Sequence, residues 1–397
     1  MEQKEENNEN FNYDKPYSAA FSSWLAEKLY IAYREARKSK RSTRDEHIFD
    51  VNELENIIRL RNAILSRTYR PSGGTRHIIE DPVRREIIAA PFTDRVVHHF
   101  INDQILPWWE TRLLDSSYSC RKNKGTDYGV NDLQKKMRRV SHNGAIETYV
   151  IKLDIEGYFI HIDHEILYQR LIWGLKRQFP NGGELFRTLR FLIKETVFDN
   201  PREKVVNHVS REQERKLVPE KNLMLQPEGH GLVIGNYTSQ VFSNIMLDPL
   251  DRFITNDLGY KYYGRYVDDF FILVPKTELK RAIKDIEAIR DFLFSLKLTL
   301  HPRKIYVQNI KKGIPFLGRI VYIDHIVAGK RFRKSFYRAA HNLIRDDNGI
   351  GTTPDSIQSY IGSLMNIDGQ KLTKEVFDSV GWDFEFQPRK KSIPPKP

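Results

Sequence analysis

The segment Tyr266-Val267-Asp268-Asp269 sets two adjacent acids between apolar runs, Tyr260-Lys261-Tyr262-Tyr263 before and Phe270-Phe271-Ile272-Leu273-Val274 after. Both flanks are rich in aromatic and β-branched residues, so they predict two strands with the acids at the tip of a hairpin rising from a buried sheet. Neighbouring carboxylates at the edge of a core are costly to ionise unless a cation joins them, and a hard divalent metal ion is the natural partner. An Asp pair also serves as a plain polar turn. The pattern therefore needs a second site to carry chemistry.

That second site lies upstream. In Tyr149-Val150-Ile151-Lys152-Leu153-Asp154, apolar residues alternate into an acid at the end of a predicted strand, and Ile155-Glu156-Gly157-Tyr158-Phe159 follows. Asp163 stands where a helix N-cap belongs, ahead of Ile166, Leu167, Leu171 and Ile172 at helical spacing. If this strand lies beside the hairpin, Asp154 and Asp268 converge. Two metal ions held there would suit in-line phosphoryl transfer, one activating a primer 3′-hydroxyl and the other stabilising pyrophosphate, with Asp269 as an auxiliary carboxylate.

Charge points to the same class of partner. The chain carries 64 Lys and Arg against 52 Asp and Glu, a net +12 over 397 residues, which favours a polyanion. No apolar run is long enough to span a bilayer and no signal peptide stands at the Met1 end, so a soluble, cytoplasmic chain is expected. Cys120 is the single cysteine, which excludes an internal disulfide, suits a reducing compartment and leaves too few sulfur ligands for structural zinc. It is read as a structural residue.

The remaining segments organise around these sites. Residues 1–15, rich in Glu and Asn with almost nothing apolar, and the Pro-rich 389–397 are expected to be flexible tails. Trp24, Leu25, Leu29, Tyr30 and Tyr33, then Leu54, Ile57, Ile58, Ile64 and Leu65, mark core-facing helices. Arg76 to Pro82 and Arg84 to Ala90 predict a β-hairpin whose basic residues suit phosphates or, equally, a charged edge. Arg121, Lys122 and Lys124 form a basic loop that suits a template strand or plain solvent. A strand over Gly231 to Ile234 is predicted to lead into a helix beginning at Asn236-Tyr237-Thr238-Ser239, a polar start compatible with an anion, a base pair or a simple cap. Lys304 follows an extended segment, within the range of a triphosphate or of solvent. Arg331, Arg333, Lys334 and Arg338 interleave with Phe332, Phe336 and Tyr337, and Ile357, Tyr360, Ile361 and Leu364 form a further stripe, a pattern for a small basic helical domain gripping a duplex.

Asp154, Gly235-Asn236-Tyr237-Thr238-Ser239-Gln240, Tyr266-Val267-Asp268-Asp269, Lys304 and Phe316-Leu317-Gly318, in this order, resemble the successive motifs of reverse transcriptases from about Tyr69 to Ile361. The resemblance implies an α+β right-hand polymerase fold: fingers over 16–148, a palm of antiparallel sheet and helices over 149–328 with a fingers insertion around 175–230, and a small helical thumb over 329–388. It implies two Mg²⁺ ions, deoxynucleoside triphosphates, a template RNA and an RNA/cDNA duplex. Position by position, Asp154, Ile155 and Asp268 match metal-binding residues and Asp269 the adjacent catalytic acid. Phe159 matches the residue that blocks a 2′-hydroxyl, Arg85 and Lys304 match contacts to the incoming triphosphate, and Ile234 and Gly235 flank the nascent pair. Arg76, Arg121, Lys122, Lys124, Arg331 and Arg333 would contact template and primer.

One departure narrows the resemblance. Where most reverse transcriptases open the helix motif with Gln-Gly and end it Ser-Pro, this chain has Ile234-Gly235 and Ser239-Gln240, a variant similar to the diversity-generating retroelement enzymes of bacteria and their phages. That group copies a template-repeat RNA with errors at adenine and works with a pentameric basic accessory protein. Ile234 replaces a polar contact by an apolar one, which lowers the penalty on misfitted pairs. Retron or phage-defence reverse transcriptases share the acids without this signature, and a non-catalytic RNA-binding protein would have no need of them.

Overall fold

A computed structural model describes residues 15–38, 43–80, 84–345 and 354–381. Residues 1–14 and 389–397 of the two expected tails lie outside these, as do Asp81 and Pro82 of the first hairpin. The strands, in chain order, are β1 (Gly74–Ile79), β2 (Arg85–Ala89), β3 (Thr148–Asp154), β4 (Val205–Asn207), β5 (Tyr263–Tyr266), β6 (Asp269–Pro275), β7 (Tyr306–Asn309), β8 (Ile314–Phe316), β9 (Arg319–Val321) and β10 (Ile326–Ala328). Two compact units divide the chain: one comprises Met1–Cys120, Ile155–Phe253 and Ile289–Leu300, the other Arg121–Asp154, Ile254–Ala288 and His301–Pro397.

The second unit holds the acid hairpin. Its main sheet is antiparallel in the order β5-β6-β3-β7. All five residues of Phe270–Val274 are buried, which marks β6 as a central strand covered on both faces and explains why its sequence does not alternate. Helix Thr126–Val140 supplies part of the cover through Val130, Leu133 and Met137. The hairpin strand before the acids begins at Tyr263 rather than Tyr260: Tyr260 is buried outside the ladder, with its hydroxyl donating to Asp285 at 2.6 Å. A smaller sheet, β10-β9-β8, follows, and Leu317 and Gly318 both take positive φ (48° and 80°) to close its two-residue β8–β9 turn. Helices Lys330–Arg345, Pro354–Leu364 and Gln370–Asp378 then share a core of Phe336, Ala340, Ile361, Leu364 and Val376. Phe336 and Tyr360 stack there at 5.2 Å between ring centroids.

The first unit is mostly helical around a sheet in the order β2-β1-β4. Helices Ala19–Arg37 and Phe92–Glu110 pack through Leu25, Leu29 and Tyr33 against Phe92, Val96 and Phe100. The expected hairpin forms as β1 and β2, in register from Thr75 opposite Ala89 to Ile79 opposite Arg85. The strand expected over Gly231 to Ile234 does not form. That segment runs as an extended loop whose backbone is satisfied singly: Gly231 N–H donates to Ile162, Leu232 N–H to Phe159, and Ile234 C=O accepts from Ile88. The helix after it, Tyr237–Arg252, begins where its pattern predicts, with Asn236 as the N-cap residue. Asp163 caps helix His164–Gln178 by accepting from Ile166 N–H at 2.9 Å.

Candidate active site

Strand register brings the acids together. Asp154, the last residue of β3, lies directly opposite Asp269, the first of β6. Cross-strand partners face the same side with Cα atoms roughly 4.5–5.5 Å apart. Asp268 occupies the two-residue turn with Val267, since Tyr266 pairs with Asp269. Burial, then the charges of Asp154 and Asp269, push the Asp268 carboxyl up to about 6, against the pull of Lys304. Burial also raises Asp269, opposed first by Lys152. Two lysines partly neutralise the cluster: Lys304 Nζ donates to Asp154 Oδ1 at 2.7 Å and Lys152 Nζ to Asp269 Oδ2 at 3.2 Å.

Among the described residues no group of three or more His, Cys, Asp or Glu side chains is placed to hold a metal ion. The donor chemistry nonetheless suits a hard divalent cation. Three carboxylates repel one another, and one resists ionisation to near neutrality, an electrostatic deficit that a divalent charge would relieve.

Sequence reasoning missed two supports of this cluster. Lys152 sits on β3 two residues before Asp154, on the same face by strand alternation, and also donates to Pro315 C=O at 2.9 Å. Arg265 is fully buried, and its Nη1 donates to the Val267 carbonyl at 2.9 Å, bracing the turn. A cation two residues before the acid that ends one predicted strand, and another three residues before the acid pair, was the available signal.

Arg85, Phe159, Ile234 and Gly235 all belong to the first unit. Arg85 is exposed at the start of β2, and the Ile234 carbonyl accepts from Ile88 N–H on that strand at 3.1 Å. Gly235 takes φ +123°, and a Cβ there would meet Ile87 Cγ2 at 3.1 Å and Ile88 O at 3.2 Å. Phe159 is half-buried, and its carbonyl accepts from Leu232 N–H at 2.7 Å. Ile155 is buried and bridges to Leu300.

Two of the expected template contacts lie buried. Arg76 is buried, its guanidinium held by Glu86 and Glu214, Nε to Glu86 Oε1 at 2.5 Å and Nη1 to Glu214 Oε2 at 2.6 Å, so it anchors the hairpin rather than presenting a charge to phosphates. Arg121 is buried as well. Lys122 is exposed, and Lys124 lies 5.3 Å from the Tyr128 ring centroid. Arg331 and Arg333 are exposed on helix Lys330–Arg345, with Arg333 Nη2 3.2 Å from Glu375. Cys120 is half-buried, and burial pushes its thiol up, as befits a structural residue.

No curated protein matches the chain. Among solved structures, telomerase of Candida albicans in complex with a telomeric RNA fragment is similar with a TM-score of 0.49 at 14% identity, covering 80% of this chain and 56% of that one. Telomerase of Candida tropicalis, likewise with telomeric RNA, gives 0.47 at 11% identity over 79% and 56%. The chain thus spans little more than half the length of these proteins. Residues 81–321, more than half of the 397, match the family described as reverse transcriptase (RNA-dependent DNA polymerase). With an α+β architecture and its acids on adjacent antiparallel strands, the chain belongs to the reverse transcriptase family.

Proposed function

We propose that the chain is a template-directed RNA-dependent DNA polymerase whose reaction centre is Asp154, Asp268 and Asp269. The observation that carries this reading is the register of β3 against β6, which sets Asp154 opposite Asp269 with Asp268 one residue before it. Asp154, Asp268 and the backbone of Ile155 would hold two Mg²⁺ ions, which when bound supply a more acidic primer hydroxyl and a stabilised pyrophosphate. Lys304 provides a cation beside Asp154 for the triphosphate, and Lys152 keeps Asp269 oriented on β6. Arg85 contributes an exposed guanidinium for the incoming nucleotide, and Phe159 a ring that excludes a 2′-hydroxyl. Lys122, Lys124, Arg331 and Arg333 are the proposed contacts to template and primer phosphates, joined to a division into fingers (16–148), palm (149–328) and thumb (329–388).

Primer extension on an RNA template with Mg²⁺ tests the reading. The parent extends the primer, and Asp268→Ala, at matched folding, loses roughly a hundred- to a thousandfold of the rate, the scale of removing a preorganised electrostatic group. Equal synthesis by both proteins would refute the assignment.

The finer type is a diversity-generating retroelement enzyme, acting with a pentameric basic partner on a template-repeat RNA. Ile234-Gly235 and Ser239-Gln240 support it over retron or phage-defence types. Ile234 lies where its backbone is fixed by Ile88, so an exchanged side chain would act from a constant position. Ile234→Gln is expected to lower misincorporation at template adenine; product sequencing that returns an unchanged error spectrum would count against this.

A further inference from the structure

Three helices of the first unit converge on a cleft of about 480 Å³, within the roughly 300–1,000 Å³ of ligand sites, at residues the polymerase reading does not use. Arg170, Trp173 and Arg177 stand at i, i+3 and i+7 of helix His164–Gln178 and therefore share a face. Arg170 lies 4.2 Å and Arg177 4.0 Å from the Trp173 ring centroid. At the end of helix Phe92–Glu110, Arg112 lies 4.3 Å from the Trp108 ring, and Trp109 packs 6.0 Å from Trp173. Helix Tyr237–Arg252 contributes Asp248, which pairs with Arg170 and with Arg252 at 3.2 Å. Phe292 closes the lining.

This arrangement exceeds what packing requires. Asp248 is buried and accounts for Arg170 and Arg252, whereas Arg112 and Arg177 are exposed, each with its guanidinium carbon within 4.3 Å of a tryptophan ring centroid. A guanidinium so held has already lost much of its rotamer freedom, and its N–H edge and outer face remain suited to a phosphate and a base. Three guanidinium groups, those of Arg112, Arg170 and Arg252, line the cleft against the one carboxylate of Asp248, with Arg177 beside it over Trp173; this balance selects an anion, and the close cation–aromatic steps favour one with stacking faces.

We propose that this cleft binds single-stranded RNA, taking phosphodiesters on Arg112 and Arg177 and a base against the Trp173–Arg177 step. The proposal rests on the reading that the chain handles RNA, but not on its catalysing nucleotide addition. The test is photocrosslinking of a 4-thiouridine oligouridylate to the full chain, with peptide mapping, in the parent, Arg112→Glu/Arg177→Glu and the milder Arg177→Gln. Crosslinks are expected on peptides containing Trp108 or Trp173, with yield falling about tenfold in the double variant and less in Arg177→Gln, as lost phosphate contacts require. The double variant is scored only at the parent's melting temperature, and Arg177→Gln, at an exposed position, keeps the test open otherwise. Unchanged yield in both variants, crosslinks confined to other peptides, or displacement by polyglutamate as effective as by oligouridylate would overturn the proposal, the last in favour of an acidic protein segment. A chain without polymerase activity that still crosslinks here would leave the cleft standing and remove only the catalytic reading.

Discussion

Val267, between Tyr266 and Asp268, takes φ +57°, a conformation that a β-branched residue adopts at a cost of about 1–2 kcal/mol. The buried Arg265, donating to the Val267 carbonyl, helps offset that cost and so fixes where Asp268 points. A second residue with a measurable signature is His98, buried in helix Phe92–Glu110, whose imidazole is lowered to about 3 by burial and then by the neighbouring charges of His99 and Arg95. The folded chain keeps His98 neutral while the unfolded chain protonates it near pH 6.5. Stability from this residue is therefore intact above pH 6.5 and falls as pH drops toward 3. Relative to His98→Gln, the parent is expected to lose about 3 kcal/mol between pH 7 and pH 4, read as the difference between their denaturation curves. A constant difference across that range would show that His98 does not titrate as described.

At the scale of elements, strands are set by what covers them and turns by which residues tolerate their dihedrals. Gly235 joins the Ile234 segment to helix Tyr237–Arg252 at a positive φ, with Ile87 and Ile88 close enough that even a methyl group must displace them. Gly235→Ala is expected to destabilise the chain by about 1–3 kcal/mol in denaturant titration; a change under 0.5 kcal/mol would mean the loop relaxes freely. The elements legible in the sequence were those with strong periodicity or caps. β3, β6, the β1–β2 hairpin and helix His164–Gln178 lie where alternation, apolar runs and Asp163 put them. The Gly231 to Ile234 segment misled because Val233 packs from a loop against Ile88, Ile160 and Leu223, and such an apolar run reads as a strand whatever partners it has. Arg76 misled for a related reason: its charge is visible in the sequence, but Glu214, which captures it, is 138 positions away.

At the scale of the whole molecule, each of the two units is assembled from discontinuous segments, and the chain crosses from one to the other after Cys120, Asp154, Phe253, Ala288 and Leu300. Local pattern marks the acids, but their meeting depends on pairing residues more than a hundred positions apart, and only the order of motifs hinted at it. Lys152 and Arg265 escaped notice because their roles exist only once β3, β5 and β6 are side by side. The most direct test of the central claim is to count Mn²⁺ ions by electron paramagnetic resonance on the full chain with primed RNA template, a chain-terminated primer and the next nucleotide. Two ions are expected per parent molecule, with Asp154→Asn and Asp268→Asn each weakening that binding at least tenfold, about 1.4 kcal/mol. The same ion count and affinity in the parent and both variants would contradict the account.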